Sequence, residues 1–273
     1  MDNKLITLND AIGLNDRENH NTQSKIKTKI TAWYTDTGEV IWTSHNILTI
    51  AGAGFLARSL FDIDTAEITK SYNNALGLDN TVNTTDKSAS HKAYLFCVGT
   101  DGCGRECSQI YAEQYRSWID EESIVPFQYR APDDDLTATE RTVYFGRKTL
   151  ENSKIAYYFK AFDSKPVFTQ QLTDGTPLDA SLYTLNTNYD AESVVTVQLS
   201  ISKTDCRDFF INTTGINDAR INCISLCTAW TTTDPSTNYK YYQDIRPCTR
   251  LNFANESLID LTKGITFSYS VYF

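Results

Sequence analysis

The sequence has few histidines and no long apolar segment, and these shortages exclude several classes of function. It contains three histidines in 273 residues. No window approaches the roughly 20 apolar residues that a helix needs to cross a bilayer. The first ten residues lack the basic flank and the apolar stretch of a signal peptide. We therefore expect a soluble protein that is synthesised in a cytoplasm and does not insert into a membrane.

Positive charge is also scarce. The 34 aspartates and glutamates outnumber the 25 lysines and arginines, which gives a net charge of -9 and a pI near 4.9. Affinity for nucleic acid depends on clustered lysines and arginines that neutralise phosphates. We therefore expect no direct binding of DNA or RNA.

The motifs of nucleophilic catalysis are missing as well. His20, His45 and His91 fall in a polar leading segment, at the end of a predicted strand and at the edge of a predicted loop. No G-x-S-x-G elbow accompanies them, so the sequence shows no nucleophile motif of a hydrolase. A carboxylate pair for glycoside cleavage remains open, because two acids can converge from anywhere in a β fold. The expectation is a protein that is not an enzyme.

Aromatic and alternating segments are abundant. The 16 tyrosines and 13 phenylalanines suit pleated, half-buried surfaces. Apolar and polar residues alternate from Ser193 to Ser202 and again from Gly264 to Phe273, with the period of two that is typical of a strand. A turn over residues 35–38 separates two more strand patterns. The sequence predicts a mainly β fold, antiparallel and β-sandwich or barrel-like, with a few short helices and long loops.

The organisation of the chain follows from where these patterns stop. Residues 1–24 show no sustained period and are predicted to form a flexible N-terminal arm. Residues 25–273 contain no repeat and no Pro/Ser/Gly-rich linker, which predicts a single β-rich domain or two packed subdomains. Apolar spacing predicts a short helix over 55–61, and Thr204-Asp205 has the residue types of a helix start for a second short helix over 206–211. The polar segment 64–90 is typical of a long surface loop.

One short motif matches the letters of a dinucleotide-binding loop. Gly52-Ala-Gly-Phe-Leu-Ala57 follows an apolar segment and precedes a predicted helix. That function also requires a parallel βαβ unit and an acidic residue about 20 residues later, where this sequence turns polar. The favoured interpretation is that small residues allow close packing at the start of the helix, and no cofactor is expected.

Seven cysteines form an odd set, which favours thiols over a disulfide framework. Cys103 and Cys107 have C-x3-C spacing, and Cys97 could add a third thiolate for zinc. These three residues are the metal candidates of the sequence. The alternative, which we prefer, is ordinary free thiols without a metal.

Acidic residues also cluster. Asp133-Asp134-Asp135 and Asp120-Glu121-Glu122 could hold calcium, but neither has the alternating ligands and central glycine of an EF-hand loop. The better interpretation is a pair of solvated turns. Thr137-Ala-Thr-Glu140 matches a capping box, which explains nearby acids without a metal.

Tyrosines are concentrated in Tyr239-Lys-Tyr-Tyr242. Aromatic side chains with polar tips could form a contact platform for a sugar or a protein. In β proteins such residues more often form cross-strand pairs. Both interpretations stay open.

Several segments, taken in order, carry a resemblance. They are Pro126-Phe-Gln-Tyr129, Tyr144-Phe-Gly-Arg-Lys148, Ala156-Tyr-Tyr-Phe-Lys160, Thr204-Asp-Cys-Arg-Asp-Phe-Phe210, Asn217-Asp-Ala-Arg-Ile-Asn222, Leu226-Cys-Thr, Arg250-Leu-Asn-Phe253 and the tyrosine-rich strand that ends at Phe273. Together they resemble the tail-associated structural proteins of large tailed bacteriophages. The resemblance implies a virion component of the tail, neck or baseplate that assembles with its own copies and with other virion proteins. The resemblance implies no catalytic residue.

The last strand and the arm are the expected assembly elements. An alternating strand at a terminus must pair, either within the chain or with a neighbour. The hypothesis is that this strand contacts other subunits through Ile265, Phe267, Tyr269, Val271 and Phe273. The main alternative function is a receptor- or carbohydrate-binding module at the tail tip, where a host-surface glycan would be the partner. A glycan depolymerase carried on the virion is the third possibility.

Overall fold

A computed structural model describes residues 27–44, 47–48, 72–79, 91–104, 110–111, 119–172, 175–177, 191–258 and 264–272. The predicted arm, the glycine motif with its helix over 55–61, and Cys107 lie outside these ranges. So does Phe273.

The mainly antiparallel β fold predicted from the sequence is confirmed. The strands are β1 Lys27–Tyr34, β2 Val40–Ser44, β3 Ile47–Leu48, β4 Lys92–Gly99, β5 Ile124–Val125, β6 Gln128–Arg130, β7 Tyr144–Thr149, β8 Ile155–Ala161, β9 Val167–Leu172, β10 Ala191–Ile201, β11 Arg220–Thr233, β12 Lys240–Pro247, β13 Thr249–Ser257 and β14 Ile265–Tyr272. The helices are α1 Tyr72–Leu76 and α2 Arg207–Thr213, with 3-10 turns η1 Glu140–Thr142 and η2 Ile216–Asp218. No helix in the described ranges is long and apolar enough to span a bilayer.

The chain divides into two compact units. The smaller unit comprises the described parts of Met1–His45, Asp163–Ser200 and Thr266–Phe273. The larger unit comprises the described parts of Asn46–Phe162 and Ile201–Ile265. Each unit is therefore assembled from segments that are distant in the sequence.

The smaller unit is built on a five-stranded sheet in the order β2-β1-β14-β10-β9. The hairpin of β1 and β2 turns at Gly38, whose φ of 70° lies in the region that glycine adopts without strain. Inward-facing side chains such as Ile30, Leu199 and Phe267 are fully buried. Trp42 packs against Phe267 with ring centroids 5.9 Å apart.

The larger unit is built on a nine-stranded sheet. Its main path runs β3-β13-β11-β4-β8-β6, while β12 pairs with β11, β5 with β4 and β7 with β8. All ten residues from Ile221 to Trp230 on β11 are buried. A strand that is buried over so many consecutive residues has both of its faces covered, which makes β11 the centre of this unit.

Part of the predicted surface loop over 64–90 is instead a helix of the core. Tyr72 and Leu76 on α1 are 1% and 3% exposed, and the Tyr72 hydroxyl donates to the carbonyl of Ile119 at 2.8 Å. The two side chains lie on one face because they are spaced i, i+4. Many asparagines around them conceal this apolar pair in the sequence.

The predicted helix over 206–211 is present as α2, but its start differs. The residue that caps α2 is Cys206, at a φ of 64°, and its side chain makes no capping hydrogen bond. The preceding Asp205 is buried, and its carboxylate accepts from Lys160 Nζ at 2.7 Å. This carboxylate therefore belongs to the core of the larger unit.

Candidate functional site

The predicted assembly strand occupies the interior of its own sheet. β14 lies between β1 and β10. Ile265, Phe267 and Tyr269 are 4%, 0% and 0% exposed, and Val271 is partly buried. The first three side chains are therefore not available to a neighbouring subunit, which corrects the hypothesis that they form an intersubunit contact. The strand satisfies its need for pairing within the chain.

Of the three zinc candidates, Cys97 and Cys103 lie in the described ranges. Cys97 is buried on β4, with its Sγ 3.8 Å from that of Cys227, and burial raises the pKa of its thiol well above the ordinary value. Cys103 is disulfide-bonded, which differs from the free thiol expected. Among the residues that the structure describes, no group of three or more His, Cys, Asp or Glu is placed to hold a metal ion.

The acidic turn and the capping box follow the sequence closely. Thr137 Oγ1 accepts from the Glu140 backbone N–H at 3.3 Å, and Glu140 Oε2 accepts from the Thr137 backbone N–H at 2.8 Å. This reciprocal pair confirms the predicted capping box. In the nearby run, Asp135 accepts from Arg141 at 2.8 Å and from the Tyr157 hydroxyl at 2.7 Å. These hydrogen bonds to the Asp135 carboxylate stabilise the turn.

A groove in the larger unit is the best candidate for a binding site. It runs between β7 and β12 beside α1 and is partly open to solvent. We call it the aromatic groove. It is lined by Asn73, Leu78, Asp79, Arg141, Tyr144, Phe145, Gly146, Arg147, Tyr157, Tyr239, Lys240, Tyr241, Tyr242 and Gln243.

The predicted tyrosine cluster forms one wall of the aromatic groove, and its members differ in role. Tyr242 packs against Phe145, edge to face, with ring centroids 4.6 Å apart, and against Tyr94 at 5.4 Å. Burial raises the pKa of Tyr242 to about 12. Tyr239 and Tyr241 are partly exposed. The cluster thus combines the two interpretations of the sequence, because Tyr242 joins the core while the other two rings reach the surface.

Charged side chains line the same groove. Arg147 forms an ion pair with Asp79, whose Oδ2 also accepts from Thr149 Oγ1 at 2.7 Å. The Arg141 guanidinium lies 5.0 Å from the centroid of the Tyr239 ring. Lys240 Nζ lies 5.3 Å from the centroid of the Tyr242 ring. These contacts are of the cation–π type, which the faces of electron-rich rings favour.

A glycine shapes the floor of the aromatic groove. Gly146 has a φ of 69°, and a Cβ at this position would lie 2.4 Å from a ring carbon of Phe159. The position therefore excludes any side chain on two independent grounds, backbone conformation and space. This allows β7 to approach β8 closely.

The smaller unit carries a second surface of interest at the edges of its sheet. Val167 and Phe168 on β9 are 56% and 62% exposed, and Val40 on β2 is 59% exposed. Both strands are sheet edges. One side of β9 pairs with β10. Among the described residues, its other side is paired only at the bridge between Gln171 and Pro177. We call these residues of β2 and β9 the open edges.

Sequence reasoning missed the open edges and the charged members of the groove. Val167 and Phe168 form an apolar pair between Pro166 and a polar Thr-Gln-Gln stretch, a pattern too short to show a period. Asp79 and Arg147 are far apart in the sequence, and only the pairing of β7 with β8 and the position of α1 bring them together.

No family model, no curated protein and no solved structure matches this chain. The function is therefore argued from the chain's own residues.

Proposed function

We propose that this chain is a structural subunit of a tailed-phage virion that assembles with its own copies into a ring or complex in the tail, neck or baseplate. The observation that carries the proposal is the exposure of large apolar side chains at both open edges. The resemblance of the last third of the sequence to tail-associated structural proteins supports the virion as its location.

Unprotected sheet edges are unusual in monomeric proteins. An edge strand presents unpaired N–H and C=O groups that pair readily with another chain, and natural proteins normally protect it with charges, prolines or short length. Val167 and Phe168 are consecutive on β9, so their side chains point to opposite faces, and both faces are exposed. A neighbouring strand at this edge would bury apolar area on both of its faces.

We propose that the neighbour is a second copy of this chain. The same five-stranded sheet ends in β2 on one side and β9 on the other. Pairing the β9 edge of one copy with the β2 edge of the next is a head-to-tail contact, which closes into a ring when the rotation per subunit allows it. Main-chain hydrogen bonds would supply the pairing, and Val40, Val167 and Phe168 the apolar contact.

The test is the mass of the purified protein in solution, measured by light scattering over a concentration series. We expect a defined oligomer for the unaltered chain and a weakening of at least about tenfold for Phe168→Lys, because the change places a charge in the apolar contact. Ile211→Lys is the matched control, since Ile211 is also an exposed apolar residue, 47% exposed, but lies on α2. A monomer at all concentrations contradicts assembly through the open edges.

The location in the virion needs a separate measurement. An antibody against the purified protein should label virions of the phage that encodes the chain, at the tail, neck or baseplate. Particles that carry no label, while the protein accumulates in the infected cell, would exclude a virion component.

A second candidate function is a receptor- or carbohydrate-binding module at the tail tip, and the aromatic groove favours it. Partly exposed tyrosines beside polar side chains are typical of sites that bind small ligands. This candidate predicts binding of glycans without cleavage. A reducing-sugar assay on bound polysaccharide separates it from a depolymerase, for which turnover would be required.

A further inference from the structure

We propose that the aromatic groove binds a saccharide that carries a carboxylate group. This inference deepens the second candidate function and does not depend on assembly through the open edges. It starts from charge. The groove is lined by the cations Arg141, Arg147 and Lys240 and by the carboxylate of Asp79, and Asp135 pairs with both arginines, which leaves one positive charge in excess in a chain whose net charge is -9. A local excess of positive charge on an acidic protein attracts an anionic ligand.

The three cations are not equally available. Arg147 is paired with Asp79, and Arg141 with Asp135. Lys240 has no carboxylate within ion-pair distance in the part of the chain that the structure describes. Its Nζ lies 5.5 Å and 5.3 Å from the ring centroids of Tyr94 and Tyr242. The rings fix the position of the ammonium, and its remaining N–H donors are left for a ligand.

The neighbouring side chains favour a saccharide. The Tyr239 ring is partly exposed, and its face away from the Arg141 guanidinium can pack against the C–H face of a pyranose, while its hydroxyl can donate or accept. The bonds that Asp79 accepts from Arg147 and Thr149 both involve Oδ2. Its Oδ1 can accept from a sugar hydroxyl. The groove thus combines aromatic ring faces, the Lys240 ammonium and hydrogen-bond acceptors.

The carboxylate of Asp79 also limits the ligand. A second anionic group close to the first would lie near this carboxylate and be repelled. Nucleic acids and glutamate-rich peptides carry closely spaced negative charges, and they are therefore poor ligands. A saccharide with a single acidic unit carries one carboxylate and otherwise hydroxyl groups. Such a ligand places its carboxylate at Lys240 and hydroxyls toward Asp79.

The experiment titrates the full-length chain with two matched pairs of trisaccharides, followed by NMR or calorimetry. 3′-Sialyllactose and 6′-sialyllactose, which carry one carboxylate each, are compared with their neutral methyl esters. We expect at least one acidic member to bind at least about tenfold more tightly than its neutral counterpart, since a charge-assisted hydrogen bond contributes about 1.5–3 kcal/mol, or roughly tenfold or more. A hexaglutamate peptide is added as a competitor and should not displace the bound sugar.

Three variants assign the binding to the aromatic groove. Lys240→Gln should reduce affinity for the acidic sugar to about that for the neutral one, a loss of roughly tenfold. Tyr239→Ala should weaken both members of a pair, while Tyr239→Phe keeps the ring and should retain most of the affinity. The control is Lys203→Gln, which removes an exposed lysine in the turn after β10.

The outcomes are distinct. Equal binding of acidic and neutral sugars refutes the carboxylate preference but leaves a carbohydrate-binding module in place. Binding that Lys240→Gln and Tyr239→Ala leave unchanged places the site elsewhere and overturns the inference. Displacement by hexaglutamate shows an anion site without sugar selectivity. No binding of any trisaccharide contradicts both the inference and the second candidate function, and does not affect the proposal of assembly.

Discussion

At the scale of single residues, the most demanding feature is the buried carboxylate of Asp205. It accepts from Lys160 at 2.7 Å, from the Tyr144 hydroxyl at 2.7 Å and from the Ser202 backbone N–H at 2.9 Å. Gln128 donates to it at 3.1 Å. Four donors from separate segments meet at one side chain, so this carboxylate holds together parts of the larger unit that are distant in the sequence. A buried charge is tolerated when it is paired and hydrogen-bonded in this way.

The first prediction concerns this carboxylate. Asp205→Ala should lower the free energy of unfolding by about 3–5 kcal/mol, because the change leaves the Lys160 ammonium buried without its partner. Urea denaturation followed by circular dichroism measures the change. Asp133→Ala, in an exposed turn, should stay within about 0.5 kcal/mol of the unaltered protein. A loss for Asp205→Ala no larger than that of the control would mean that the pair contributes little.

The second prediction is a pH dependence that originates at Asp135. Burial alone would raise the pKa of Asp135, but the hydrogen bond from Tyr157 and the interactions with Leu136 N–H and Arg141 lower it below the ordinary 3.8. A lowered pKa in the folded state stabilises the protein above the pKa of the unfolded state, and this contribution is lost as the pH falls through the folded value.

The measurement is the free energy of unfolding between about pH 7 and pH 2. We expect stability to fall below about pH 4, where Glu140 and Asp244 also have lowered pKa values, and Asp135→Asn to reduce the slope of this acid limb while lowering stability at neutral pH. Asp133→Asn serves as the control and should keep the slope. An identical acid limb in Asp135→Asn would show that other carboxylates cause the loss.

At the scale of elements, the sequence predicted the strands with the clearest periods. The alternation from Ser193 to Ser202 corresponds to β10, on which Val197, Leu199 and Ile201 are buried. The turn over residues 35–38 joins β1 and β2 as expected. Such periods are local, because alternation along one strand needs only one buried face.

Elements defined by distant contacts were not predicted. α1 is held by Tyr72 and Leu76, which alone cannot be distinguished from a polar loop. The aromatic groove was foreseen only in its Tyr239–Tyr242 wall. Its two arginines and Asp79 come from β7, η1 and a turn after α1, and sheet pairing, not local sequence, decides that they meet.

The third prediction tests the close approach of β7 to β8. Gly146→Ala should destabilise the protein by about 2–5 kcal/mol, because the added methyl group overlaps the Phe159 ring and the backbone lies in the left-handed region. Gly38→Ala is a matched control. Its φ is 70°, but no atom lies within 4 Å of the added Cβ, so a loss of about 1–2 kcal/mol from backbone strain alone is expected. Equal losses would show that space around Phe159 is not limiting.

At the scale of the whole molecule, the net charge of -9 opposes the assembly of identical copies. The fourth prediction follows from this repulsion. Raising the salt from about 0.02 M to about 0.15 M should increase the assembled fraction, because the Debye length falls to about 8 Å. Light scattering at fixed protein concentration measures it. Assembly that weakens with added salt would indicate an interface held by opposite charges instead of the apolar open edges.

The position of β14 has a consequence for how the protein is made. β1, β2, β9 and β10 are all synthesised before β14, yet β14 is the strand that joins the β1–β2 hairpin to the β9–β10 hairpin. Until the ribosome has delivered Ile265–Tyr272, the two hairpins have no common partner. The smaller unit can therefore close only after translation has passed this strand, so a prematurely terminated chain would lack the continuous sheet that links the two open edges. The order of synthesis would then act as proofreading, since truncated copies would be excluded from the assembled particle.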